Sequence, residues 1–176
     1  DAAESLVNLV AAAVALIVLK VAARPADANH NFGHTKAEYF SAAVEGVMIF
    51  VAAISIVVLA IQRLLSPQPL ESVGIGLMIS VAASVLNGAV ALVLIRAGKR
   101  HRSITLRADG KHLMTDVWTS VGVLVGIVLV WVSGWGWLDP VIAIAVGVNI
   151  LFTGYGLVKE STEGLMDGTL PEEDNE

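Results

Sequence analysis

The chain has 176 residues, 56% of them apolar and only 15% charged, with a formal net charge of −5 and no cysteine. Soluble domains carry roughly 25% charged residues, so this composition belongs to an integral membrane protein. Without cysteine there is no disulfide framework and no thiolate metal site. The acidic excess is gathered in the tail 171–176, which offers nothing to a nucleic acid.

Five apolar segments follow one another, at 2–23, 37–64, 72–95, 103–133 and 139–158. Each is long enough for the roughly 20 helical residues that cross a bilayer core. Stretches such as VAAISIVVLAI at 51–61 and VGVLVGIVLVWV at 121–132 are apolar on every side, the pattern of a lipid-facing helix. The reading is an all-α, polytopic membrane helix bundle. Arg24-Pro25 ends the first segment, because proline lacks a donor and restricts the residue before it. Ser66-Pro67-Gln68-Pro69 makes a short turn. The basic stretch 96–107, with Gly98 in it, is expected to be the third loop. Gly134 to Trp137 form the last turn, with Asp139 as N-cap and Pro140 opening the final helix.

Basic residues set the orientation. Lys20, Arg24 and Lys36 flank the first loop, and Arg96, Lys99, Arg100, Arg102 and Arg107 flank the third. The other two loops hold only Arg63, while Trp135 and Trp137 suit an interfacial belt. The basic loops and the C-terminus are therefore expected in the cytoplasm and the N-terminus outside. Both ends look cut: Asp1 leads straight into an apolar helix with no signal peptide, and PEEDNE reads as the opening of a soluble segment. Small residues at helical spacing, Ala42, Gly46 and Ala53 in the second helix and Gly147, Gly154 and Gly156 in the fifth, indicate close helix contacts.

Ionisable residues inside membrane helices are costly and usually functional. Here they are Glu4, Glu45, His112 and Asp116, with Asn8 as a neutral companion. Glu4 and Asn8 share one face of the first helix, and His112 and Asp116 one face of the fourth. Facing each other, the pairs would make a four-ligand nitrogen and oxygen site suited to zinc and its first-row neighbours; apart, each would be hydrogen-bonding glue between helices. Glu45 has no partner at ligand spacing and reads as structural. Asp27, His30 and His34 in PADANHNFGH are either a second chelating group or a solvated polar loop. Asp1 and Asp109 lie three residues before Glu4 and His112, as capping residues, outer-shell bases or further ligands.

Three motifs then resemble one family. RPADANHNFGHTKAE at 24–38 resembles the loop between the second and third helices of the cation diffusion facilitators (CDF). RADGKHLMTD at 107–116 resembles their fifth-helix signature, and LMDGTLP at 165–171 their junction with a cytoplasmic domain. The resemblance implies helices two to six of a six-helix fold, with 1–166 as the transmembrane domain lacking its first helix and 167–176 opening the junction. It implies a homodimeric exporter of divalent metal, usually driven by proton influx. The metal is expected to be zinc, with iron, manganese, cobalt and nickel as alternatives, and the location a bacterial inner membrane. Carried over, the transport site falls on Glu4, Asn8, His112 and Asp116, and a loop site on Asp27, His30 and His34. A dimer-locking charge pair falls on Lys36 and Asp167. The chain departs from the family at Asn8, where aspartate is usual; Asp1 is the other carboxylate near enough in sequence to complete the set. Rival readings are a metal-binding sensor or scaffold, and a membrane hydrolase using the same metal. The last needs an activating base and an open ligand position, and the sequence has neither an H-E-x-x-H nor an evident nucleophile.

Overall fold

The computed structural model describes residues 2–27, 33–66 and 75–166, with side chains described over 9–27, 33–66 and 78–166. Among them the chain forms five helices and no strand: α1 (Ala2–Ala22), α2 (Lys36–Leu65), α3 (Ile75–His101), α4 (Ile104–Ser133) and α5 (Leu138–Leu165). Four of these, α2 to α5, are long and apolar enough to cross a membrane, and α1 contributes a shorter apolar stretch, Leu9–Ala22, among the described side chains. The all-α membrane bundle expected from the five apolar runs is what forms. Several hydroxyls within the helices are satisfied locally: Ser55, Ser84 and Thr119 donate to the carbonyls of Val51, Ser80 and Thr115 at 3.0, 2.8 and 2.9 Å. That is the low-cost solution where no water is present.

Among the described residues, α2, α4 and α5 pack together, α1 lies on α2 and α4, and α3 packs on α4 alone. The core is built from Ala42, Ile49 and Ala53 of α2, Ile104 and Ala108 of α4, and Ile150 and Leu157 of α5. Small residues set the α2–α5 approach, as anticipated. A Cβ on Gly46 would lie 3.0 Å from the Val158 backbone nitrogen, and one on Gly147 would lie 2.7 Å from Val57. Gly156 is the exception: a Cβ there meets nothing within 4 Å, so it faces outward. It sits two residues from Gly154, and therefore on the opposite side of the helix.

The structure corrects two sequence boundaries. The basic stretch 96–107 is almost wholly helical, because α3 runs to His101 and α4 starts at Ile104. Lys99, Arg100 and His101 fill the last turn of α3, where cations favour the negative end of the helix dipole. The chain reverses at Arg102, in the left-handed region at φ 53. Ser103 then caps α4, its side chain accepting from the Leu106 N–H at 3.3 Å. Gly98 does not break a loop but lets the hairpin close, since a Cβ there would lie 2.9 Å from the Arg107 nitrogen. At the other turn, Trp137 rather than Asp139 occupies the N-cap of α5, with no side-chain cap bond. Asp139 instead turns into the bundle, its carboxylate against Gly126 of α4 and 3.6 Å from the Arg63 guanidinium of α2. The carboxylate finds a cation there, which a helix N-terminus alone does not supply.

Candidate metal centre

One end of the bundle gathers the basic residues. Ser103 donates its hydroxyl hydrogen to Glu38 Oε2, and the Thr105 hydroxyl donates to the Glu38 carbonyl at 3.2 Å. This clamp sets the start of α4 beside the start of α2. Arg107 contacts Glu160 of α5 at 2.8 Å, with Lys111 at 3.8 Å from the same carboxylate. Sequence reasoning missed Glu160, which lies just beyond the apolar segment 139–158, in the charged last turns of α5 with Lys159 and Glu163. Lys36 Nζ donates to the Leu165 carbonyl at 3.3 Å, on the final residue of α5 and two residues before Asp167, the expected partner, which lies outside the described residues.

Because α2 and α4 leave this end together, they run parallel. Further along, Ile56 and Ala60 of α2 line one apolar cavity with Thr119 and Gly122 of α4. The inward stripe of α4 is Thr105, Ala108, His112, Thr115 and Gly122, a three- and four-residue spacing that keeps one face inward. His112 is buried at 9% exposure, and its carbonyl accepts the Thr115 hydroxyl at 2.6 Å. Asp116, half-buried, follows one turn on. Asp109, half-buried, lies one turn before His112 on α4. Glu45 itself is buried at 3% exposure, and its Oε2 has no hydrogen-bond partner among the described residues.

α1 is the helix that must bring Glu4 and Asn8 to this place. It packs on α2 and α4, burying Ala11, Ala15 and Ala22. Glu4 and Asn8 are on its backbone, but their side chains, like all of Asp1, lie outside the described residues. Among the described residues, no three His, Asp or Glu side chains are grouped closely enough to hold a metal ion. In the first loop, His34 Nε2 and Asp27 Oδ2 are 3.6 Å apart, so two of the three loop residues do come together; His30 lies outside the described residues.

The chain matches the family described as the cation efflux transmembrane domain over residues 1–166. It is 57% identical over 171 residues to an uncharacterized transporter of Synechocystis, covering 97% of this chain and 55% of that protein. It is 31% identical over 173 residues to the cation-efflux pump FieF of Klebsiella pneumoniae, covering 98% of this chain and 57% of the pump. It is also 31% identical over 169 residues to the cadmium, cobalt and zinc/H(+)-K(+) antiporter of Bacillus subtilis, at 96% and 54%. The chain thus spans a little over half the length of these curated relatives, and their names describe transporters rather than enzymes.

Proposed function

The chain belongs to the cation efflux family, and from that premise we propose that it is the membrane part of a divalent transition-metal exporter whose cation site lies between α1 and α4. The observation that carries this reading is His112: an imidazole buried in the first third of the apolar helix α4, one turn from Asp116, on the face packed toward the other helices. Glu4 and Asn8 join them in the proposal. Both stand seven residues before Ala11 and Ala15, the buried positions of α1, and seven residues is nearly two full turns. The names of the relatives support metal cations and protons as the exchanged species.

The cycle is alternating access. Metal enters from the basic, cytoplasmic end and displaces protons as it takes its ligands. The helices then open the site to the far side, protons return to the carboxylates and imidazole, and metal leaves. In the assembled protein two chains pair, with Lys36 and Asp167 as a charge pair near the cytoplasmic face. Uptake of zinc, iron, manganese, cobalt and nickel into proteoliposomes carrying the full-length protein, with and without an opposing pH gradient, tests the reading. Flux of none of these metals would refute export, and flux indifferent to the gradient would refute proton exchange.

Asp27, His30 and His34 form a peripheral site in this proposal. Asp27 is more than half exposed, and water competes with metal there. His34→Ala is therefore expected to slow metal capture severalfold without stopping flux, measured as initial rate at low metal concentration. Complete loss would reverse the ranking of the two sites.

Asn8 sets the metal preference. With Asn8 in place of aspartate the proposed set has two carboxylates, Glu4 and Asp116, and a neutral amide. Asn8→Asp adds a third negative ligand and is expected to raise zinc affinity by roughly 10-fold and move selectivity toward zinc, while harder metals lose ground. Competition uptake across the five metals checks this. An unchanged order and affinity would remove Asn8 from the site and make Asp1 the residue to test.

A further inference from the structure

Glu45 is the buried ionisable group that the proposed transport site leaves unused. A role as a hydrogen-bonding link between helices would need a partner, and Glu45 Oε2 has none among the described residues. A buried, unpartnered carboxylate costs several kcal/mol as a charge and contributes little to packing that glutamine would not.

Its position follows from the clamp at the basic end. Glu38 of α2 touches Thr105 of α4, and the two helices run parallel. Seven residues further along each helix, about 10 Å deeper, come Glu45 and His112. Seven residues is nearly two turns, so each remains on the face from which it started. Glu45 is therefore level with His112 across the α2–α4 contact, and Asp109 lies one turn nearer the basic end, between that level and Arg107. Beyond Glu38, α2 and α4 carry three acids, Glu45, Asp109 and Asp116, and the first two precede Asp116 on the way in from the clamp.

We propose that Glu45 and Asp109 form a second cation-holding step, which receives the metal from the basic end of the bundle and passes it to His112 and Asp116. The step depends on the export reading above. Two carboxylates without a third protein ligand hold a partly hydrated divalent ion, and hold it loosely. An intermediate position on a conduction path needs that looseness, binding well enough to load and weakly enough to release. A carboxylate from α2 also brings in the negative charge that Asn8 does not supply from α1.

The test uses the full-length protein in proteoliposomes with zinc as the probe. Glu45→Gln keeps the shape and removes a buried charge, so it should fold at least as well as the parent. The expected result is a rise of about 10-fold in KM for zinc with kcat within about twofold, and Glu45→Asp should keep KM within about threefold. An unchanged KM in Glu45→Gln overturns the proposal, as does a fall in kcat at constant KM, which is what a packing role would produce. A binding arm separates this outcome from failure of the export reading. Calorimetric zinc titration of His112→Ala and of His112→Ala/Glu45→Gln should differ by one weak zinc per protomer. If the parent carries no flux but that difference is present, export fails and the second site stands. If the two titrations agree, the second site fails whatever the flux.

Discussion

His112→Ala is expected to reduce metal flux at least 100-fold while the protein remains helical and monodisperse. His112 is the only nitrogen donor in the proposed set of Glu4, Asn8, His112 and Asp116, and imidazole is the donor that first-row metals such as zinc favour most among these residue types. Without it the set has two carboxylates and an amide, which bind more weakly and without tetrahedral geometry. The folding cost should be modest. Alanine suits the helix, the side chain is one of several on the α4 stripe, and the cavity left behind should cost on the order of 2 kcal/mol. The α2–α5 seam, where Ile49, Ile150 and Leu157 are almost fully buried, is untouched. Flux in vesicles, circular dichroism and size-exclusion chromatography together decide the matter. Normal flux from well-folded His112→Ala would remove the imidazole from the mechanism and with it the central observation of the proposed function.

His112 was legible in the sequence because the bilayer makes polar residues conspicuous: an imidazole and a carboxylate four apart in an apolar run have few reasons to be there. The five helices were legible for the same reason. What the sequence hid depends on contacts between helices. Arg96, Lys99 and Arg100 looked like loop residues because they are charged, yet they extend α3 beyond the apolar run. Asp139 matched the local pattern of an N-cap, but Arg63, 76 positions earlier in the chain, claimed it. Glu45 reads as structural because no ligand lies four residues away on its own helix; that it is buried, with no hydrogen-bond partner for its Oε2 among the described residues, depends on how α2 packs against the other helices. Gly154 and Gly156 are indistinguishable as letters, and the helix phase that separates them depends on where α2 lies.

That last distinction yields the second large effect. Gly154 stands where α5 meets α2 backbone to backbone. A Cβ there would lie 2.9 Å from the Phe50 nitrogen and 3.1 Å from the Gly46 carbonyl oxygen. Backbone atoms of a continuous helix cannot swing aside as a side chain can, so the two helices must separate to admit even a methyl group. Gly154→Leu is expected to destabilise the bundle by about 3 kcal/mol, the upper part of the usual range for overpacking. Gly154→Ala should show a smaller loss of the same sign, even though alanine is the better helix former by about 1 kcal/mol. Gly156→Leu is the control: with open space at that position, the added side chain meets lipid and stability should stay within about 0.5 kcal/mol. Unfolding in a graded mixture of mild detergent and dodecyl sulfate, followed by circular dichroism, compares all three. Separation of α5 from α2 would also disturb the placement of α2 against α4, so Gly154→Leu protein that survives purification should transport poorly despite intact ionisable residues. Equal stability of the two leucine variants would mean that lipid, rather than the glycine seam, governs the α2–α5 spacing, and that the register linking Glu45 to His112 does not depend on this seam.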